Sequence, residues 1–330
     1  MTMPENNILT IYVLNVGQAD TSIVITPKGK VVIIDAVRPD KLVDLLEHLN
    51  IHEGSQIQEM IITHPHIDHF SAVNRLLKDY QVMSVTLAPF WNAYGAGPPT
   101  YRKMINKIEE ELCPVDFVSG YGRIYPEGAM DVSDKSNPLF DTGCVFIEVL
   151  GPPNSMISQL ERDDKLDTNH LSVMARLNWK NFKMVFAGDA QMENWFHFDN
   201  EGMLSERCNI LRSSHHGSCN GTQWERIARL DPKYVIISSD PDKKHHLPDV
   251  VGASIFAKYE VSEASKVVAL TRDTGSIEII VEDGNIKDVN RFDEAYDRNI
   301  DFSKEIALTA ASNPTNWRDL LSDSTDRVYE

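Results

Sequence analysis

The chain is short of positive charge, of paired cysteines and of long apolar runs, and each shortage removes a class of protein. Lysine and arginine total 32 against 49 aspartates and glutamates, a net charge of −17. That balance excludes the broad basic face with which proteins grip duplex nucleic acid. A local basic groove, or a small anion held through metal, stays open. Cys113, Cys144, Cys208 and Cys219 are widely spaced with no C-x-x-C, so neither a disulfide framework nor a zinc knuckle is indicated. Free thiols in a reducing cytoplasm are the expectation. No apolar run approaches the roughly 18 residues that cross a bilayer. The opening MTMPENNILTIYVLNVGQAD has neither a basic nor an apolar leader segment, so no signal peptide and no membrane association are expected.

What is present is an ordinary globular balance, 42% hydrophobic and 25% charged over 330 residues. That length suits one large single-core domain or two ordinary ones. Strands are predicted over 8–16, 21–27 and 30–36, the last two joined at PKGK, where Gly29 supplies the positive φ of a tight hairpin. Leu42, Leu45, Leu46 and Leu49 then fall on one face of an amphipathic helix. A strand at 57–63, a helix at 69–80 and a second helix marked by Tyr101, Met104, Ile105, Ile108 and Leu112 follow. Residues 114–143, rich in Gly, Pro, Asp and Ser, read mostly as an insertion or long surface connection. Strands resume in CVFIEVLGPP, LSVMARLNW, NFKMVFAGD, RCNILRSSHH and KYVIISSD, with helices near 190–199, 222–230 and 249–260. SKVVALTRD and GSIEIIVED read as a closing hairpin.

The two halves share a strand-rich, then helix, then strand order, which suggests a duplicated αβ/βα sandwich within one domain, 1–285. From 286 to 330 the chain carries ten acidic against six basic side chains. That stretch is expected to be an acidic C-terminal appendage packed on the same domain, ordered in part around Trp317, Leu320 and Leu321.

Chemistry concentrates in THPHIDHF, residues 63–70. His64 and His66 are two apart and point the same way in an extended segment. Asp68 and His69 follow at the start of a helix. One short segment can thus offer two ligands to each of two adjacent metals, and imidazole with carboxylate suits Zn²⁺, and also Fe or Mn. The alternative, a solvated polar turn, fits poorly with four ligand-type residues placed directly after a buried-looking strand. Three further stretches have the same character. His170 precedes a strand and Asp189 ends the next; His215 and His216 end another; His245 and His246 follow KYVIISS. Each alone reads as easily as a satisfied surface, core or turn residue. Together with 64–69 they make a two-metal set.

HPHIDH followed by FAGD and HHGS resembles the metallo-β-lactamase superfamily. The flanks LNVGQADTSIVI, VVIIDA, NHLSVMARL and HHLP look most like the hydrolase domain of ComEC-type DNA-uptake proteins and their soluble relatives. The likeness runs from residue 8 to about 260, with Asn15 and Ala19 standing where those proteins carry an acid and a glycine, and His66 where they often carry Asp. The resemblance implies an α/β fold of the four-layer αβ/βα type with a dinuclear site at one edge. It places His64, His66 and His170 on one metal, Asp68, His69 and His216 on the other, and Asp189 as the bridge, with His215 facing substrate.

The implied chemistry is hydrolysis by a hydroxide held between two divalent ions, zinc first and Mn or Fe as alternatives. Asp68 would orient the nucleophile, and His215 and His245 are candidates for protonating or contacting the leaving oxygen. Arg212 either touches phosphate or is structural. Asp20 and Asp35 either orient metal ligands or cap strand turns. The expected activity is that of a metal-dependent phosphodiesterase, nuclease-like, on a small anionic or single-stranded nucleic-acid substrate. Hydrolysis of a carboxylic ester, thioester, lactone or β-lactam is the alternative, and a metal-stabilised binding module is a third. An oxygen-reducing di-iron protein would resemble a related branch with Glu in place of His66, and would need a flavin domain that the sequence does not offer.

Overall fold

A computed structural model describes residues 7–89, 99–111, 113–128, 144–160, 168–204, 206–240, 246–292 and 299–301. In the first half, β1 (Ile8–Val13), β2 (Ser22–Ile25) and β3 (Val31–Ile34) form an antiparallel meander. The helical period predicted next appears as α1 (Pro39–His48), with Leu42, Leu45 and Leu46 buried and Pro39 in the first turn, where a missing N–H costs nothing. β4 (Gln56–Ile57) and β6 (Gln81–Val82) make a small two-stranded sheet. Between them lie β5 (Glu59–Ile62), α2 (Ile67–Phe70) and α3 (Val73–Asp79). β7 (Val85–Leu87), α4 (Pro99–Glu110) and β8 (Val115–Phe117) complete this half.

The single helix predicted over 69–80 is therefore two short ones. The Asp68 carbonyl accepts from Asp20 N at 3.1 Å, and Ala72 N donates to the Ala36 carbonyl at 2.8 Å. Both groups of the helical pair that would span the break are taken by loops of the neighbouring strands.

The second half runs β9 (Tyr121–Ile124), β10 (Phe146–Leu150), α5 (Asn154–Leu160), β11 (Met174–Trp179), β12 (Phe182–Phe186) and α6 (Met192–Asn200). It continues with β13 (Ile210–Arg212), α7 (Trp224–Leu230), β14 (Tyr234–Ile237), α8 (Val250–Ser262), β15 (Val267–Leu270) and α9 (Thr271–Thr274). β16 (Ser276–Glu282), β17 (Asn285–Phe292) and β18 (Asn299–Asp301) close it.

The larger sheet has the order β18-β17-β16-β1-β2-β3-β5-β7-β8, the other β15-β14-β13-β12-β11-β10-β9. Alternation along the strands builds the layers. Ile11, Val32 and Ile61 of the first sheet and Leu177, Met184 and Ile236 of the second share one buried cluster between the sheets. Tyr12, Ile33 and Met60 turn the other way onto Leu45 of α1, Leu76 of α3 and Tyr101 of α4. Val185, Leu211 and Val235 turn outward onto Phe198 of α6, Ile227 of α7 and Phe256 of α8. Helix, sheet, sheet, helix is the four-layer αβ/βα arrangement expected.

Three expectations are corrected here. β15 and β16 are not a hairpin: β15 pairs parallel with β14 in one sheet and β16 pairs antiparallel with β1 in the other. The four-residue α9 carries the chain across between them. Residues 114–143 are not simply a surface connection, since β8 and β9 are edge strands of the two sheets and the link between them is the crossing from one half to the other. The stretch from 286 read as an appendage begins within β17, Asn285–Phe292, which pairs antiparallel with β16. Trp317, Leu320, Leu321 and Leu112 lie outside the described residues. Cys113, Cys144, Cys208 and Cys219 form no disulfide among the described residues. No helix among the described residues is long and apolar enough to cross a membrane.

Glu59 sits at the first position of β5, buried, accepting from Thr86 Oγ1 at 2.8 Å. Burial pushes its carboxyl from an ordinary 4.5 up to about 7. The folded state therefore binds a proton more tightly than the unfolded chain. Its stabilising contribution is complete below the ordinary value and is lost as pH rises through about 7, a change of about 3 kcal/mol. Urea unfolding at pH 5 and pH 8 should show Glu59→Gln gaining stability on the parent at the higher pH and little at the lower. Parallel curves would show that Glu59 titrates normally.

Candidate metal centre

The predicted site residues sit on loops at one edge of the sandwich, each held by the end of a strand. His64 follows β5, Asp35 follows β3, Asp189 follows β12 and His216 follows β13. Backbone hydrogen bonds fix these loops to one another: Val173 N to Thr63 O at 2.7 Å, His215 N to Gly188 O at 2.9 Å and Ala36 N to His69 O at 2.7 Å. Gly188 is required by position. Its φ is +52°, and a Cβ there would lie 2.8 Å from the Thr63 side chain. The backbone is also left-handed at Asp35, His215, His216 and His246. Non-glycine residues hold that conformation at a cost of roughly 1–2 kcal/mol each, and such strain gathers at functional sites.

His64, His66, Asp68, His69, Asp189 and His216 converge, in overlapping trios whose ligand-type atoms lie within 4.8 Å of one another. Asp189 is central. Its Oδ1 faces His69 Nε2 at 3.3 Å and His216 Nε2 at 3.7 Å, while its Oδ2 faces His64 Nε2 at 3.5 Å and His215 Nε2 at 3.7 Å. His216 Nε2 also lies 3.8 Å from Asp68 Oδ2. The opposite faces of two of these imidazoles are braced. His69 Nδ1 meets Asp35 Oδ2 at 2.8 Å, and Asp35 in turn accepts from Thr63 N and Thr63 Oγ1. His216 Nδ1 donates to the Ser238 carbonyl at 2.8 Å.

Arg212 is turned inward. It donates to Asp20 Oδ1 at 2.7 Å and to Ser238 Oγ at 2.6 Å, almost wholly buried. It is a structural arginine linking the two sheets beneath the site, and the phosphate-contact reading is set aside. Asp20 and Asp35 lie directly behind His216 and His69.

Other predicted residues are placed differently. His170 Nε2 faces Glu193 Oε2 at 3.2 Å, and His170 belongs to none of the trios found among the described residues. His215 is one-fifth exposed, at the rim. His246 is exposed, and His245 lies outside the described residues. Sequence reasoning missed Thr168, whose hydroxyl hydrogen-bonds His66 Nε2, and Asn169, whose Nδ2 is 3.5 Å from His215 Nε2. Both stand in a 3₁₀ turn, Thr168–Leu171, and NHLSV gives only the histidine as a ligand-type signal.

The electrostatics suit cations. Four carboxylates, Asp20, Asp35, Asp68 and Asp189, share this edge with one buried arginine. Burial alone would raise the Asp68 and Asp189 carboxyls, but the surrounding imidazoles hold both well below the usual range. Burial, with His69 beside it, lowers the His64 imidazole. Burial opposes protonation of His69 and His216 as well, yet Asp35 and Asp189 raise the first, and Asp189 and Asp68 raise the second to about 9. The carboxylates thus draw positive charge into the site, and metal ions would supply it in place of those protons. His64 Nε2, His69 Nε2, His216 Nε2 and Asp189 Oδ1 are buried with no hydrogen-bond partner among the described residues, which is costly for polar atoms unless they ligate. The donor set fits two divalent ions, held by His64, His66, Asp68, His69, Asp189 and His216.

The family model of the metallo-beta-lactamase superfamily matches residues 15–239. ComE operon protein 3 of Bacillus subtilis (strain 168) is 22% identical over 204 residues, which are 62% of this chain and 23% of that protein. CmlA, a diiron β-hydroxylase from Streptomyces venezuelae, superposes with a TM-score of 0.52 at 12% identity, over 85% of this chain and 55% of that one. Igni18, a metallo hydrolase from the archaeon Ignicoccus hospitalis, gives 0.45 at 12% identity, over 82% and 98%. At 12% identity the CmlA match speaks for the fold alone, and nothing rests on the Igni18 match. The chain thus spans under a quarter of the ComE protein and just over half of CmlA.

Proposed function

The chain belongs to the metallo-beta-lactamase superfamily, and on that footing we propose that it is a metal-dependent phosphodiesterase, acting on a small anionic or single-stranded nucleic-acid substrate. The superfamily is mostly one of metal-dependent hydrolases. The observation that carries the proposal is the division of Asp189, one oxygen toward His69 and His216, the other toward His64 and His215. A carboxylate shared in this way suits a two-metal centre, and such centres serve in-line displacement at phosphorus. The phosphodiester choice rests further on the likeness of the VGQ, FAGD and HHGS segments to DNA-uptake hydrolase domains. The net charge of −17 favours a small or single-stranded substrate over long duplex.

When bound, two divalent ions would lower the pKa of water and offset charge gathering on the attacked group. The chain's own residues do the rest. Asp35 and the Ser238 carbonyl fix the orientations of His69 and His216. Asp68, a carboxylate at the partly exposed mouth, orients the attacking water. His215, at the rim, is placed to act on the leaving oxygen as general acid or phosphate-oxygen partner.

The test is turnover of bis(p-nitrophenyl) phosphate by metal-loaded protein, run beside a chromogenic β-lactam and a thioester, with His66→Ala as control. Phosphodiester hydrolysis that falls in the variant is the expected result. Turnover of the lactam or thioester alone would move the substrate class to carboxylic derivatives. Bound metal with no turnover of any of the three would favour the binding module.

A further inference from the structure

The donors around Asp189 do not make two equal positions. On the Oδ1 side stand His69 and His216, both buried, with Asp68 beside them. Each imidazole has its far nitrogen braced, by Asp35 and by the Ser238 carbonyl. On the Oδ2 side stand His64 and the half-buried His66. His64 has neither ring nitrogen hydrogen-bonded among the described residues, and His66 Nε2 is engaged by Thr168. The histidine at 170, which the resemblance implied would complete this side, is turned to Glu193. In its place the 3₁₀ turn sets Asn169, next to His215.

Two differences in chemistry follow. The first position draws on Asp68, two imidazoles and one oxygen of Asp189, whereas the second draws on two imidazoles and the other oxygen of Asp189, and a carboxamide is a neutral, weaker donor. Bracing of the far nitrogen fixes ring orientation and raises basicity, and its loss weakens metal affinity roughly 10- to 100-fold.

We propose that this chain holds its two ions unequally: a tight ion at Asp68, His69, His216 and Asp189, and a loose one at His64, His66 and Asp189, bordered by Asn169 and not by His170. The loose ion is retained when an anionic substrate adds oxygen donors on the open side where His215 lies. This rests on the two-metal reading above and assigns His170 a different task, holding the Thr168–Leu171 turn through Glu193.

The experiment is a Zn²⁺ titration of chelator-stripped full chain by calorimetry, with metal content measured after gel filtration. One retained equivalent is expected, with a second binding at least about tenfold more weakly. Asn169→His should raise the retained content toward two, and His170→Ala should leave it at the parent value. His170→Gln, which keeps a donor toward Glu193, serves if the alanine variant does not fold. Two equivalents of equal affinity, or loss of metal in the His170 variants, would overturn the proposal while leaving the two-metal reading intact. A parent protein that binds no Zn²⁺ would remove the two-metal reading itself.

Discussion

Asp189→Asn is expected to lower metal-dependent turnover by more than about a hundredfold while the far-UV circular dichroism stays that of the parent. Loss of a residue that only braces a metal ligand costs roughly 10- to 100-fold, and Asp189 faces both groups of histidines directly. The substitution keeps the shape and removes the charge. It also breaks the symmetry of the group: a carboxylate accepts with both oxygens, but a carboxamide turns an NH₂ toward one side. Whichever way the amide settles, either His69 and His216 or His64 and His215 meet a donor where they now meet an acceptor. Steady-state assay of the phosphodiester substrate checks this, alongside metal content. Activity within tenfold of the parent would show that Asp189 is not shared between two ions.

The second large effect is on stability. Arg212→Met should destabilise the fold by about 3–5 kcal/mol, the cost of leaving one partner of a buried ion pair uncompensated. Arg212 lies on β13 of one sheet, and its partner Asp20 lies in the loop between β1 and β2 of the other, 2.7 Å away with both side chains buried. Burial already raises the Asp20 carboxyl, and the guanidinium opposes that rise; without it the carboxyl is stranded between the sheets. Adding Asp20→Asn to Arg212→Met should recover much of the loss, because the stranded charge is then gone. Guanidinium chloride unfolding of the two single variants and the double variant measures the coupling. Strictly additive losses would mean that the pair contributes nothing as a pair.

The strongest sequence signals proved to be those whose spacing is local. H-x-H-x-D-H is a strand end followed by one helical turn, so His64, His66, Asp68 and His69 are placed by periodicity alone. Asp189 and His216 were legible because each closes an apolar strand, and parallel strands bring their ends to one edge. What was not legible depended on partners distant in the chain. The segments ending in Leu270 and beginning at Ser276 read correctly as strands, yet nothing in their alternation tells that they belong to different sheets. A helix drawn through Ser71 and Ala72 fails because its hydrogen-bonding groups are claimed by Asp20 and Ala36.

Position 170 is the sharpest case. A histidine just before a strand is the obvious ligand, but the 3₁₀ geometry of Thr168–Leu171 turns successive residues about 120° apart, and that rotation brings Asn169 to His215 while His170 goes to Glu193. Asp35 was legible only as an acid near the site. Its hold on His69 depends on a strand neighbour whose register no short window contains.

Anomalous diffraction from crystals of the Zn²⁺-loaded protein tests the central claim most directly. The account predicts peaks on the two sides of the Asp189 carboxylate, the stronger toward His69, His216 and Asp68 and the weaker toward His64 and His66. No peak at Asp189, or a lone peak held by residues outside this set, would contradict it.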